Sequence, residues 1–158
     1  MPALMFRKAA VAAAMLWLAT GAALASPGSD AIAFVRSLYA VDGYWNGVTA
    51  DEATALRYLD APLAELILAN YAGENVDATL SYDPLLQAQE GDDVAILLSL
   101  RTIETATASV NVTVKSFDGP VFLILDLVAT PDGWRLADVH GSDGASLVEE
   151  LRNLNAGS

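Results

Sequence analysis

Thr107-Ala108-Ser109-Val110-Asn111-Val112-Thr113-Val114-Lys115 alternates polar and apolar side chains without a break. Successive side chains of an extended strand point to opposite faces, so this period of two predicts a strand with one face on a core and the other in water. Three more segments rich in Val, Ile, Leu and Thr flank it, at residues 94–104, 121–130 and 134–140. Asp118-Gly119 and Pro131-Asp132-Gly133 stand at the joints. Glycine supplies positive φ and proline presets a turn, so the four segments read as consecutive antiparallel hairpins, a curved meander.

Upstream of the strands the period becomes helical. Ile32, Val35 and Tyr39 fall at i, i+3 and i+7, with Phe34, Leu38 and Val41 on an adjoining stripe. Ser29 or Asp30 is the expected N-cap and Asp42-Gly43 the end of this first helix. Tyr44-Trp45-Asn46-Gly47 reads as an aromatic loop. Thr49-Ala50-Asp51-Glu52 has the form of a capping box, which opens a second helix running to about Leu59. Asp60-Ala61-Pro62 restarts the pattern, Leu63, Leu66, Ile67 and Tyr71 mark a buried face, and Gly73 ends a third helix. A short amphipathic helix carrying Leu147, Val148, Leu151 and Leu154, capped by Ser146, closes the chain. Three helices followed by a long antiparallel meander predict the α+β class, with the helices covering one face of the sheet.

The first 25 residues read differently. Arg7 and Lys8 precede an apolar run of 11 residues from Ala9 to Ala19, and Ala23-Leu24-Ala25 offers small side chains before Ser26. That is the three-part pattern of a cleavable signal peptide, the apolar run being too short to span a bilayer. The expectation is one domain over residues 26–158, exported to the periplasm or secreted and free of the membrane after cleavage. Cleavage would remove two of the eight basic residues and none of the twenty acidic ones, leaving six against twenty. The six are scattered singly, which argues against nucleic acid as a partner, since phosphate binding needs clustered cations. The chain has no cysteine, so thiol catalysis, thiolate metal sites and disulfides are excluded.

Several short strings, in order, carry a resemblance. They are Ala33-Phe34-Val35-Arg36-Ser37-Leu38-Tyr39, Tyr82-Asp83-Pro84-Leu85-Leu86-Gln87-Ala88-Gln89, Gly133-Trp134-Arg135-Leu136-Ala137-Asp138-Val139 and Ser146-Leu147. Together they span nearly all of residues 26–158. The chain resembles the nuclear transport factor 2-like (cystatin-like cone) superfamily, and within it a family of small exported bacterial domains of unknown function. Glu90 stands where that pattern has aspartate. The resemblance implies a sheet bent into a cone, helices packed around it and often a pocket between them. It implies no reaction, because this fold hosts isomerases, dehydratases, immunity proteins and inert adaptors alike.

Asp126 is the most suggestive single residue. In Val121-Phe122-Leu123-Ile124-Leu125-Asp126-Leu127-Val128 it is the one polar side chain of an apolar run. Two readings are open: a partly desolvated pocket acid suited to proton transfer, or an outward-facing residue in water or paired with Arg101 or Arg135. His140, the lone histidine, would need Asp138 or Asp143 as partner to move a proton, and otherwise ends a strand. Tyr44, Trp45 and Tyr82, with Asp83, Gln87 and Gln89 of the second string, are the candidate lining of a pocket or contact surface; core is the expectation for Tyr39, Tyr71 and Trp134. No His-Glu-x-x-His, calcium-loop, Gly-x-Ser-x-Gly or phosphate-loop motif occurs, so neither metal nor cofactor is expected. The expectation is a non-catalytic exported module that binds a small apolar ligand or a protein partner, an immunity-type role being one version. The alternative is a small isomerase, dehydratase or hydrolase built on a pocket acid. An exposed outer sheet face would suit a homodimer.

Overall fold

The computed structural model describes residues 26–73, 78–87, 94–116 and 119–157. The expected signal peptide, Gln89 and the run Glu90-Gly91-Asp92-Asp93 lie outside these residues. The alternating segment forms strand β2, Thr107–Ser116, between β1, Ala95–Ile103, and β3, Gly119–Thr130, with β4, Gly133–His140, beyond β3. The order is β1-β2-β3-β4 and every neighbouring pair is antiparallel, as the hairpin signals predict. Register carries the alternation from strand to strand: Val110 stands opposite Leu125, and Leu125 opposite Val139. These residues, with Val112, Val114, Leu123 and Leu127, form the buried sheet layer. A bulge at Ala137 of β4, between the Asp126–Asp138 and Leu127–Leu136 pairs, shifts the register of β3 against β4.

Among the described residues four helices precede the sheet rather than three. α1, Pro27–Leu38, starts earlier than the apolar stripe suggests, because Ser26 is its N-cap and accepts the Ser29 N–H at 3.3 Å, with Pro27 in the first turn. The stretch expected to be an aromatic loop is a short helix, α2, Tyr44–Val48. Gly43 enters it in the left-handed region at φ 75°, and the Thr49 N–H and hydroxyl both donate to the Trp45 carbonyl, at 2.9 and 2.8 Å. Thr49 thus ends α2 instead of opening a capping box. The cap of α3, Glu52–Tyr58, is Asp51, whose Oδ1 accepts the Thr54 N–H at 2.7 Å. α4, Ala61–Ala72, is capped by Asp60 as its sequence predicts, and α5, Leu147–Ala156, by Ser146.

The helices bury Ala31, Val35 and Leu38 of α1, Trp45 and Val48 of α2, Leu63 and Ile67 of α4, and Leu147 and Leu151 of α5. They share one core with the inner sheet layer. The buried face of α4 is rotated from the expected stripe, since Ala64 and Asn70 are buried while Tyr71 is 38% exposed. Asn70 is there to satisfy backbone: its Nδ2 donates to the Ala78 carbonyl at 2.8 Å and to Asn155 Oδ1 at 3.0 Å, and its Oδ1 accepts the Leu80 N–H at 2.8 Å. One side chain so ties α4, the segment before the sheet and α5 together. Among the described residues no helix is long and apolar enough to cross a membrane.

Candidate functional site

Asp126 points to the outer face of the sheet, the outward reading of the two. Leu123, Leu125 and Leu127 face the core, and period-two alternation sets Asp126 opposite to them, with Ile124 and Val128. Its partners are not the arginines. Ser109, directly opposite on β2, donates its hydroxyl to Asp126 Oδ1, and His140 Nε2 lies 2.9 Å from Asp126 Oδ2. A carboxylate only accepts, so Nε2 is the protonated nitrogen of that pair. Asp138, opposite Asp126 on β4, brings its Oδ2 to 3.6 Å from the same nitrogen. It also accepts the Ser146 hydroxyl at 2.6 Å and the Val148 N–H at 3.1 Å, which fastens the start of α5 to β4.

Of the aromatic candidates, Trp45 is core, 1% exposed, and its Nε1 donates to the Tyr71 hydroxyl at 3.1 Å. Tyr44 is half-buried, edge-on to Tyr39 at 6.5 Å between ring centroids. Asp83 serves the backbone: Oδ2 accepts the Trp45 N–H at 3.0 Å and Oδ1 the Leu85 N–H at 2.7 Å. Burial pushes its pKa up, against the pull of those hydrogen bonds. The Tyr39 hydroxyl donates to the Leu85 carbonyl at 2.9 Å, and burial holds its pKa far above the usual phenol value. These residues pin α2 to the turn at residues 82–87.

Tyr82 and Gln87 face another way. With Val139 of β4, Gly141, Asp143 and Ala145 after it, and Ser146, Glu149, Glu150, Asn153 and Leu154 at α5, they line a cleft of about 640 Å³. Gln87 reaches it from a strained backbone, φ 55°, which closes the turn that Asp83 starts. Tyr82 donates its hydroxyl to Glu150 Oε2, and burial followed by that carboxylate raises the tyrosine pKa strongly. Asp143 accepts the Ala145 N–H at 3.0 Å. Among the described residues three carboxylates border the cleft and no lysine or arginine lines it.

No family model and no curated protein matches the chain. Among solved structures it is similar to a phospholipid-binding protein from Ralstonia solanacearum, in complex with a phospholipid, at TM-score 0.42 and 14% identity, over 82% of this chain and 84% of that one. A likeness of that depth says nothing of what this chain binds.

Chemically, Asp126 and His140 have the members of a proton-transfer pair, yet neither belongs to the lining of the cleft. Val139, which does, faces the core, and alternation puts His140 on the opposite side of β4. Among the described residues no group of three or more histidine, aspartate or glutamate side chains is disposed to hold a metal ion. Of the residues expected to line a pocket, Tyr82 and Gln87 border this cleft, and the other residues along it were not among those expected there. The acids at 143, 149 and 150 are visible in the chain, but nothing local says that they converge on Tyr82.

Proposed function

We propose that this chain is an exported, non-catalytic binding module of the nuclear transport factor 2-like superfamily, and that its ligand seats in the cleft between the 82–87 turn, the 141–146 loop and α5. The observation that carries the reading is the make-up of that cleft: Asp143, Glu149 and Glu150 at its border, Val139, Ala145 and Leu154 as apolar surface, and no basic side chain among the described residues. The volume suits a small molecule, and a few convergent polar groups on an otherwise apolar wall are what fix a ligand's orientation. The class that fits is an amphiphile with an apolar body and one positive group. Carboxylates attract the cation, and the Tyr82 ring beside them adds a π face to it. The signal-peptide pattern of residues 1–25 supports export, and the order of the four short strings supports the superfamily.

Dodecyltrimethylammonium below its micellar concentration is a suitable probe, with dodecyl sulfate as the anion of equal chain length. Titration calorimetry is expected to show saturable binding of the cation, weakened about tenfold in the Glu149→Gln, Glu150→Gln double variant, the loss that one charge-assisted contact commonly carries. Equal binding of the sulfate, or unchanged binding in the double variant, would overturn the reading.

A further inference from the structure

Six lysine and arginine residues lie between residues 26 and 158, and two of them, Arg57 and Arg135, meet in one groove. The groove, about 570 Å³, runs between α1, the end of α3 and the β3–β4 turn. Phe34 of α1, Tyr58 beside Arg57, and Trp134 beside Arg135 bring three aromatic rings to it. The Arg135 guanidinium is held in place by main chain, its Nε donating to the Leu56 carbonyl at 3.2 Å and its Nη1 to the Trp134 carbonyl at 2.9 Å. Neither bond uses Nη2. Arg57 places its guanidinium carbon 5.7 Å from the Tyr58 ring centroid. Asp30 and Asp132 line the same groove, yet among the described residues neither arginine forms an ion pair.

Two guanidinium groups, one of them anchored to main chain and neither ion-paired among the described residues, stand among aromatic rings in a chain of formal charge −12. We infer that this groove binds a planar aromatic monocarboxylate. A guanidinium matches a carboxylate in a two-bond fork, and its fixed plane lowers the ordering cost of making that fork. Aromatic side chains receive a flat ring by stacking or edge contact. Asp30 and Asp132 select among anions: their charges oppose a dianion such as phosphate more than a single carboxylate. The site shares no lining residue with the cleft in the proposed function, so failure of either leaves the other standing.

The probe is 2-naphthoate, titrated into the isotopically labelled full chain and followed by amide and indole N–H shifts, with 2-naphthamide and inorganic phosphate as controls. Saturable shifts are expected at Arg57, Tyr58 and the Trp134 indole, with the neutral amide and phosphate each at least about tenfold weaker, as the loss of a charge-assisted pair or of ring contacts predicts. Arg57→Gln, at an exposed position, is expected to weaken 2-naphthoate by a similar factor while the remaining spectrum stays unchanged. Arg135→Gln should do the same, and Arg57→Gln decides the matter if loss of the Leu56 contact disturbs the fold. Shifts outside the groove, equal binding of the amide or phosphate, or undiminished binding by Arg57→Gln would overturn the inference.

Discussion

Asp83 illustrates how a polar residue in a recognisable string can be needed for architecture. Its two oxygens accept the Trp45 and Leu85 N–H groups, so Asp83→Ala would leave both donors without acceptors in a largely dry place. Chemical denaturation is expected to show a loss of about 1–3 kcal/mol, the usual cost of orphaned buried donors. A loss within measurement error would refute that role. Burial also raises the pKa of Asp83, and burial is the leading cause of the raised pKa of Asp60. A carboxyl group with a folded pKa above its unfolded one binds protons more tightly when folded. Its contribution is therefore present below the ordinary carboxylate pKa, about 4, and is lost as pH rises through the raised value. The urea midpoint should fall as pH rises above the ordinary carboxylate pKa, about 4, and Asp83→Asn should flatten that slope. Asp51 shifts the other way, held low by the Thr54 N–H, but it is fully exposed and sets no comparable slope.

At the scale of an element, the β3–β4 hairpin is the part whose sequence most directly specifies its form. Gly133 has φ 111°, a region closed to side chains with a Cβ, and a Cβ built there would meet no atom within 4 Å. Gly133→Ala thus isolates conformational cost from crowding. It should lower stability by roughly 1–3 kcal/mol in thermal or urea unfolding, with the hairpin kept. No change would mean that the turn relaxes to another type. α2 is the contrasting element. Five residues make too few turns to display a helical period, and Gly43, Tyr44 and Gly47 all read as loop. Burial of the Trp45 ring in the core and the Thr49 bonds to the Trp45 carbonyl hold it in place, so its signal lay in tertiary packing.

For the whole molecule, charge is the dominant long-range term. Twenty acidic residues against eight basic ones repel one another over the surface, and among the described residues no lysine or arginine pairs with a carboxylate to offset this. Screening the repulsion should stabilise the fold: the thermal midpoint is expected to rise by a few degrees, about 2–5 °C, as sodium chloride goes from about 0.02 to about 0.5 M. A midpoint that falls with salt would mean that attractive pairs outweigh the repulsion. The outer sheet face is uncovered by helices among the described residues and shows Leu97 and Phe122, 56% and 58% exposed, on either side of Thr113.

The amino-acid sequence by itself determined what depends on near neighbours: the period-two strands, the glycine turns between them, the caps Asp60 and Ser146, and hence the α+β class and the order of the meander. Asp126 marks the limit of that reading. Apolar residues occupy both faces of residues 121–128, so alternation could not say which face was wet, and only the pairing of Ser109, Asp126 and Asp138 across three strands settled it. The cleft and the groove each join segments that lie 50 or more residues apart in the chain, Tyr82 with α5 and Phe34 with Trp134. No local pattern encodes such a meeting. It follows from how the helices bury their apolar faces on the sheet, and that was decided by tertiary structure alone.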